Sequence, residues 1–213
     1  SEGHNLIFVN GECQLSAKYK DKPWTPGVGG KILEFRTSVA RDYTLMDNAN
    51  AYAKEHLKGW RRHIILDKPV VTVVLDEVKS APGAEIEARF HSDAEIVAGE
   101  SISYLKGSKG LMAIIPVAGG KYVMKAGSHS YTPVRKDVET VVIPCVGAFT
   151  TAQSEVTRLA AIILPVENEK EAVSIAKSVK KKFGGDSLTL SFKKGGKTYW
   201  YAFSGRDGLV LNK

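Results

Sequence analysis

Short apolar runs, broken at regular intervals by glycine, proline, asparagine and aspartate, recur from one end of this chain to the other and restrict it to a mostly β architecture. The runs alternate or are β-branched, and strands are expected at residues 5–10, 31–37, 42–47, 60–66, 70–76, 84–91, 95–98, 101–105, 111–116, 122–125, 140–146, 157–164, 188–193, 198–203 and 209–211. Asp67-Lys68-Pro69, Ala118-Gly119-Gly120 and Gly195-Gly196 carry the turn chemistry that closes antiparallel hairpins. The stretch from Lys20 to Gly30, with Pro23, Trp24 and Pro26, reads as a long loop, and loops of that length often carry function.

One helix interrupts the strands. Ala172, Ile175, Ala176, Val179 and Phe183 share a face at three- and four-residue spacing, Asn168 with Glu171 forms the cap, and Gly184-Gly185 ends the element. Lys180-Lys181-Lys182 then falls in the last helical turn, where cations complement the dipole on a solvated end. The fold class expected is mainly β: an antiparallel, supersandwich-like β-sandwich with one crossover helix, forming a single domain over 1–213. A subdivision near 130–135 is the one boundary suggested.

A length of 213 residues allows a sizeable core, and no apolar run approaches the twenty or so residues of a transmembrane helix. A net charge of +7 favours polyanions such as nucleic acid, anionic membrane or acidic polysaccharide, without choosing among them. Cys13 and Cys145 have no C-x-x-C spacing, which excludes a zinc ribbon or a thioredoxin-type site. Both sit in apolar strand patterns and read as buried thiols, with one disulfide in an oxidising compartment as the alternative. The first residues carry no signal peptide, but they open in mid-fold, so this does not bear on export.

Two segments carry candidate chemistry. His4 and Asn5 precede a strand in which Leu6 and Phe8 alternate with Ile7 and Val9; a sheet would hold His4 rigidly enough for metal ligation or proton transfer, against the plainer reading of a terminal histidine. In Trp60-Arg61-Arg62-His63-Ile64-Ile65-Leu66, Arg61 and His63 project to one face and Trp60 and Arg62 to the other. Two cationic or polar groups thus project together, as a groove for sugar carboxylates or sulfates needs, since arginine binds planar anions bidentately and aromatic rings stack on sugar faces. Alternatively Arg61 pairs with Asp47 or Asp76 on a neighbouring strand.

Taken in order, His4-Asn5, Val9-Asn10-Gly11-x-x-Gln14, Gly30-Lys31-Ile32-Leu33, Tyr43-x-x-x-Asp47-x-x-x-Ala51-Tyr52, Arg61-Arg62-His63-Ile64-Ile65-Leu66-x-Lys68-Pro69 and Val73-Val74-Leu75-Asp76-Glu77-Val78 resemble the C-terminal half of heparinase II/III-like polysaccharide lyases. Ala88-Arg89-Phe90-His91 is similar to the family's next strand, and beyond Ser92 the likeness is mainly of β-rich texture.

The resemblance implies an N-terminal α/α toroid, absent from this sequence, followed by the β-sandwich. Uronic-acid polysaccharide would be cleaved by β-elimination between them. It places most of the neutralising and acid–base groups upstream, so the chain alone is expected to be inactive and supplies no catalytic residue. It implies His4 as one ligand of a zinc site in the full-length parent, with no complete metal shell in this chain, and His63 and His91 as sheet positions. The expected substrate-binding residues are Asn5, Arg61 and His63. The expected partners are an acidic polysaccharide, heparin/heparan sulfate-like or alginate-like, and the toroid of the same protein, with no nucleic acid and no membrane. The expected location is bacterial periplasm or secreted. His4 should lie exposed at a sheet edge. The rival readings are a non-catalytic carbohydrate-binding module and a purely structural sandwich.

Overall fold

The computed structural model describes residues 3–14, 29–131, 139–185, 187–204 and 208–210. The chain runs β1 (Ile7–Val9), β2 (Lys31–Thr37), β3 (Arg41–Asp47), a 3-10 turn at Ala49–Ala51, β4 (Gly59–Asp67), β5 (Val71–Lys79), β6 (Glu85–His91), β7 (Glu95–Ala98), β8 (Ser103–Gly107) and β9 (Gly110–Ala118). It continues with β10 (Tyr122–Tyr131), β11 (Val141–Thr151), β12 (Val156–Val166), α1 (Glu169–Ser178), β13 (Lys180–Phe183), β14 (Ser187–Lys194), β15 (Lys197–Ser204) and β16 (Gly208–Val210).

These strands form three antiparallel sheets. The first has the order β1-β6-β11-β10, the central one β2-β3-β4-β5-β12-β9-β8-β7, and the third β13-β14-β15-β16. Side-chain alternation explains why the central sheet is the middle layer. Val71, Val73 and Leu75 of β5 and Ala160, Ile162 and Leu164 of β12 enter one core with Leu188, Leu190, Phe192, Tyr201 and Phe203 of the third sheet. Val74, Val78, Leu159 and Ala161 enter a second core with Ile7, Ile86, Ala88, Val146 and Ala148 of the first sheet. The architecture is the expected antiparallel β-sandwich, with layers on both faces of its largest sheet.

Polar clamps fasten the third sheet to the central one. Arg41 makes two 2.9 Å hydrogen bonds to the buried Asp67 carboxylate, which also accepts from the Tyr201 hydroxyl at 2.6 Å. At α1, Asn168 Oδ1 accepts from the Glu171 N–H (3.0 Å) and the Glu171 carboxylate accepts from the Glu167 N–H (2.7 Å), so the expected cap is present. Ala172 and Ile175 are buried beneath the third sheet. Among the described residues no helix is long and apolar enough to cross a membrane.

Two expectations are corrected. The helix stops at Ser178, because Val179 is extended (φ −64°, ψ 120°) and Lys180–Phe183 pairs with β14 instead. The lysine run is therefore a strand, with successive side chains on opposite faces. Ala118-Gly119-Gly120 does not close a hairpin: β9 pairs with β8 and β12, while β10 pairs with β11, and the chain crosses there from the central to the first sheet. Gly195-Gly196 does close a hairpin, both glycines having the positive φ (55° and 76°) of a primed turn. The loop assigned from Lys20 lies outside the described residues up to position 28, as do most of the suggested boundary at 130–135 and Leu211.

Candidate functional site

Asp76 interrupts the apolar run of β5 and is 1% exposed, so its charge requires partners. Arg62 supplies a bidentate pair (Nε–Oδ1 2.7 Å, Nη2–Oδ2 2.9 Å), and Trp60 Nε1 donates to Oδ1 at 2.7 Å. The remaining guanidinium nitrogen, Nη1, donates to the backbone carbonyl of Asn5. A buried ion pair on the central sheet thus grips the segment that carries His4 and Asn5. Tyr52 holds the next turn of chain, its hydroxyl donating to the Ile7 carbonyl at 2.7 Å.

The Asn5 side chain reaches the other way. Its Oδ1 accepts from the His91 N–H at 2.8 Å and lies 3.2 Å from His91 Nδ1. His91 therefore holds its ring proton on Nδ1, toward Asn5, while Nε2 is buried without a hydrogen-bond partner among the described residues. Burial lowers the His91 pKa first, followed by the nearby Arg89, His129 and His4, against the opposing Glu87 carboxylate. Arg89 is paired with Glu87 (2.6 and 2.8 Å) and lies 3.7 Å from the Phe8 ring centre. Gly3 lies against His129, since a Cβ there would sit 3.4 Å from Cδ2 of that ring. His4 itself is exposed, just before β1, the edge strand of the first sheet.

His4, Asn5, His91 and His129 thus gather at one end of the first sheet. No set of three or more histidine, cysteine or carboxylate side chains among the described residues is placed to hold a metal ion. A zinc ion at His4 would need ligands from elsewhere. Neither cysteine is in a disulfide; Cys145 is buried and Cys13 half-buried.

Arg61 and His63 share the opposite face of β4 but not one environment. His63 is 1% exposed, inside the core between the central and third sheets. The Leu209 N–H donates to the Tyr43 hydroxyl (3.1 Å), whose own proton then goes to His63 Nδ1 (2.9 Å). That leaves Nε2 protonated, 3.3 Å from Glu77 Oε2, and the Phe203 ring packs edge-on against the imidazole at 5.4 Å. Burial alone would raise the Glu77 carboxyl, but hydrogen bonds from His63 and Arg158 outweigh it and hold the pKa at about 2. Arg158 Nε donates to Glu77 at 2.7 Å and Nη1 to the Gly185 carbonyl at 2.8 Å.

Arg61 is exposed and lines a cleft of about 320 Å³ with Asp47, Lys58, Glu77, Lys79 and Arg158. Cations outnumber carboxylates there, so the cleft suits an anion. The structure joins Asn5 to His4 and separates both from Arg61 and His63. Arg62, rather than Arg61, takes Asp76. The acids Asp76 and Glu77 in an otherwise apolar strand were the sequence signal for that pair, since a buried carboxylate needs a cation.

The profile described as "Heparinase II/III-like, C-terminal" matches residues 1–179. The chain belongs to this family. In fold, this heparinase II/III-like chain is similar to a crystal structure of heparinase III (TM-score 0.68, 15% identity, covering 94% of this chain and 29% of that one). It is similar as well to the heparan sulfate lyase HepC from Pedobacter heparinus (TM-score 0.68, 10% identity, 95% of this chain and 30% of that one). The chain spans about 30% of the length of these structures, and at such identities the likeness is one of fold. No curated protein matches it in sequence.

Proposed function

We propose that this chain is the C-terminal β-sandwich region of a polysaccharide lyase that cleaves uronic-acid-containing acidic polysaccharide, heparan sulfate-like or alginate-like, by β-elimination. In that reaction a base removes the proton α to the uronate carboxylate, the glycosidic C–O bond breaks, a C=C bond forms in its place, and an acid protonates the departing oxygen. An N-terminal toroid supplies the missing groups, and the periplasm or the exterior of a bacterium is where such polymers are met.

The observation that carries this reading is the grip on His4 and Asn5. Arg62 fixes the Asn5 backbone and His91 its side-chain oxygen, so the amide N–H groups of Asn5 remain to meet a uronate carboxylate. His4 stands beside it, exposed, as a proton-transfer group or as one ligand of a zinc completed by residues outside this chain. Arg61 is proposed to bind substrate anions through its cleft, and His63 to support that cleft from the core through Glu77.

The test uses the chain within its longer protein, with the ultraviolet absorbance of the unsaturated uronate product as readout. Activity on heparan sulfate or alginate should fall at least about tenfold in Asn5→Ala, as for the loss of one charge-assisted hydrogen bond. The fold should be retained. Absence of any eliminative product, or an Asn5→Ala protein as active as the parent, would defeat the proposal. The second reading, a non-catalytic glycan-binding module, is favoured by the cationic cleft around Arg61 and predicts binding without product.

A further inference from the structure

The lysine run that the sequence placed at a helix end is distributed by β13 over both faces of a strand. Register decides which lysines face solvent. Leu188, Leu190 and Phe192 of β14 are buried, so Thr189, Ser191 and Lys193 point away from the core. Lys182 lies opposite Thr189 and Lys180 opposite Ser191, which puts both lysines on that outer face. On the other side of β14, Ala202 faces Thr189, Trp200 faces Ser191 and Thr198 faces Lys193.

The outer face of the third sheet therefore has four rows among the described residues: Ser187-Ser204, Lys182-Thr189-Ala202, Lys180-Ser191-Trp200, and Lys193-Thr198. Strands lie about 4.8 Å apart and same-face neighbours along a strand about 7 Å apart. Trp200, 37% exposed, thus sits on an outward sheet face bounded on two sides by cations and interspersed with hydroxyls.

Charge identifies the occupant. Residues 180–204 contain six lysines and a single acidic residue, Asp186. Three of the lysines are engaged elsewhere: Lys181 turns inward to the Ala118 carbonyl (2.7 Å), Lys194 pairs with Glu171 (2.8 Å), and Lys197 lies 4.6 Å from the Tyr199 ring centre. Lys180, Lys182 and Lys193 stay exposed on the outer face, with no ion pair to a carboxylate among the described residues. The family match ends at residue 179, one position before this surface begins.

We propose that the solvent face of the third sheet is a second binding surface for an acidic polysaccharide, separate from the Arg61 cleft. A sugar ring lies over Trp200, its hydroxyls meet Ser191 and Thr198, and carboxylates or sulfates on neighbouring sugars meet Lys180, Lys182 and Lys193. The choice of polymer rests on the substrate class proposed above. A face with one aromatic and no arginine among its described residues suits a sugar chain better than the series of stacking rings and the cationic groove that single-stranded nucleic acid takes. A lone tryptophan likewise offers too little apolar area to insert into a membrane.

The experiment measures binding of the chain to immobilised heparin, alginate and neutral dextran over a series of salt concentrations. K180A/K182A/K193A and W200A are compared with K58A/R61A/K79A, which alters only the other cleft, and thermal melting confirms that each variant folds. Removing three exposed ion contacts should weaken binding to heparin or alginate about tenfold and flatten its salt dependence. W200A should weaken it at every salt concentration.

Loss confined to the Arg61-cleft variant, with the third-sheet variants binding like the parent, overturns this site and leaves the proposed polymer class standing. A parent chain that ignores heparin and alginate, or prefers single-stranded DNA or anionic vesicles to them, also overturns it. The lyase reading is judged separately, by product formation in the longer protein.

Discussion

Glu77 shows how much of this molecule depends on single buried charges. Its carboxylate is held at about 2, against an ordinary 4.5, because His63 and Arg158 both donate to it in a site that would otherwise raise it. The folded state therefore binds this proton more weakly than the unfolded state. The stability it contributes is fully present above about pH 4.5 and is lost as the pH falls toward 2. The difference corresponds to about 3 kcal/mol. Unfolding free energy followed by denaturant titration should drop through that window in the parent and drop less in Glu77→Gln; equal slopes would show that the carboxylate carries no such linkage. The sequence showed that Arg61 and His63 share a face, and they do. It could not show that this face also meets a core, because alternation distinguishes two faces without saying that both are covered. His63 consequently reads as a surface ligand in sequence and is a core histidine in the fold, while Arg62, on the face shared with Trp60, holds Asn5.

The elements that were easiest to read were those whose local signals agreed with their tertiary surroundings. Strands β4, β5 and β6 fall where β-branched runs and turn residues put them, and α1 begins at its Asn168 cap. Replacing that residue in Asn168→Ala should cost about 1 kcal/mol in a melting or denaturation experiment. An unchanged stability would mean that the hydrogen bond from the Glu171 N–H contributes nothing net. The end of the same helix was not legible. Val179 and Phe183 are four apart and continue the helical stripe, yet Val179, Lys181 and Phe183 also alternate as a strand does. Pairing with Leu188–Ser191 decides between the two, and that partner lies beyond the glycines the sequence offers as a stop. The long hairpin β10–β11 was under-read for a related reason: Gly127 and Gly147 look like breakers, but cross-strand pairing runs unbroken through both of them.

At the scale of the whole molecule, the two cores have the central sheet in common, so neither outer sheet has an interior of its own. Unfolding is expected to be a single transition. Trp60, in the core toward the first sheet, and Trp200, on the outside of the third sheet, should report the same denaturation midpoint when each is replaced by phenylalanine in turn and the change in fluorescence is assigned. Midpoints that differ would show that the third sheet opens independently. The double covering has a further effect on how the chain finds its register. For an ordinary half-exposed strand, a slip of one residue turns the apolar side chains out to water, and hydrophobicity alone forbids it. In β5 a slip would merely exchange Val74 for Leu75, one oily interior for another. What such a slip cannot survive is the neighbouring couple Asp76 and Glu77, which point into opposite interiors, one to Arg62 and the other to Arg158. Displaced by one position, each carboxylate would be buried away from its guanidinium, at a cost of several kcal/mol apiece. The two acids act as a key cut on both edges, and the strand fits its lock in only one position.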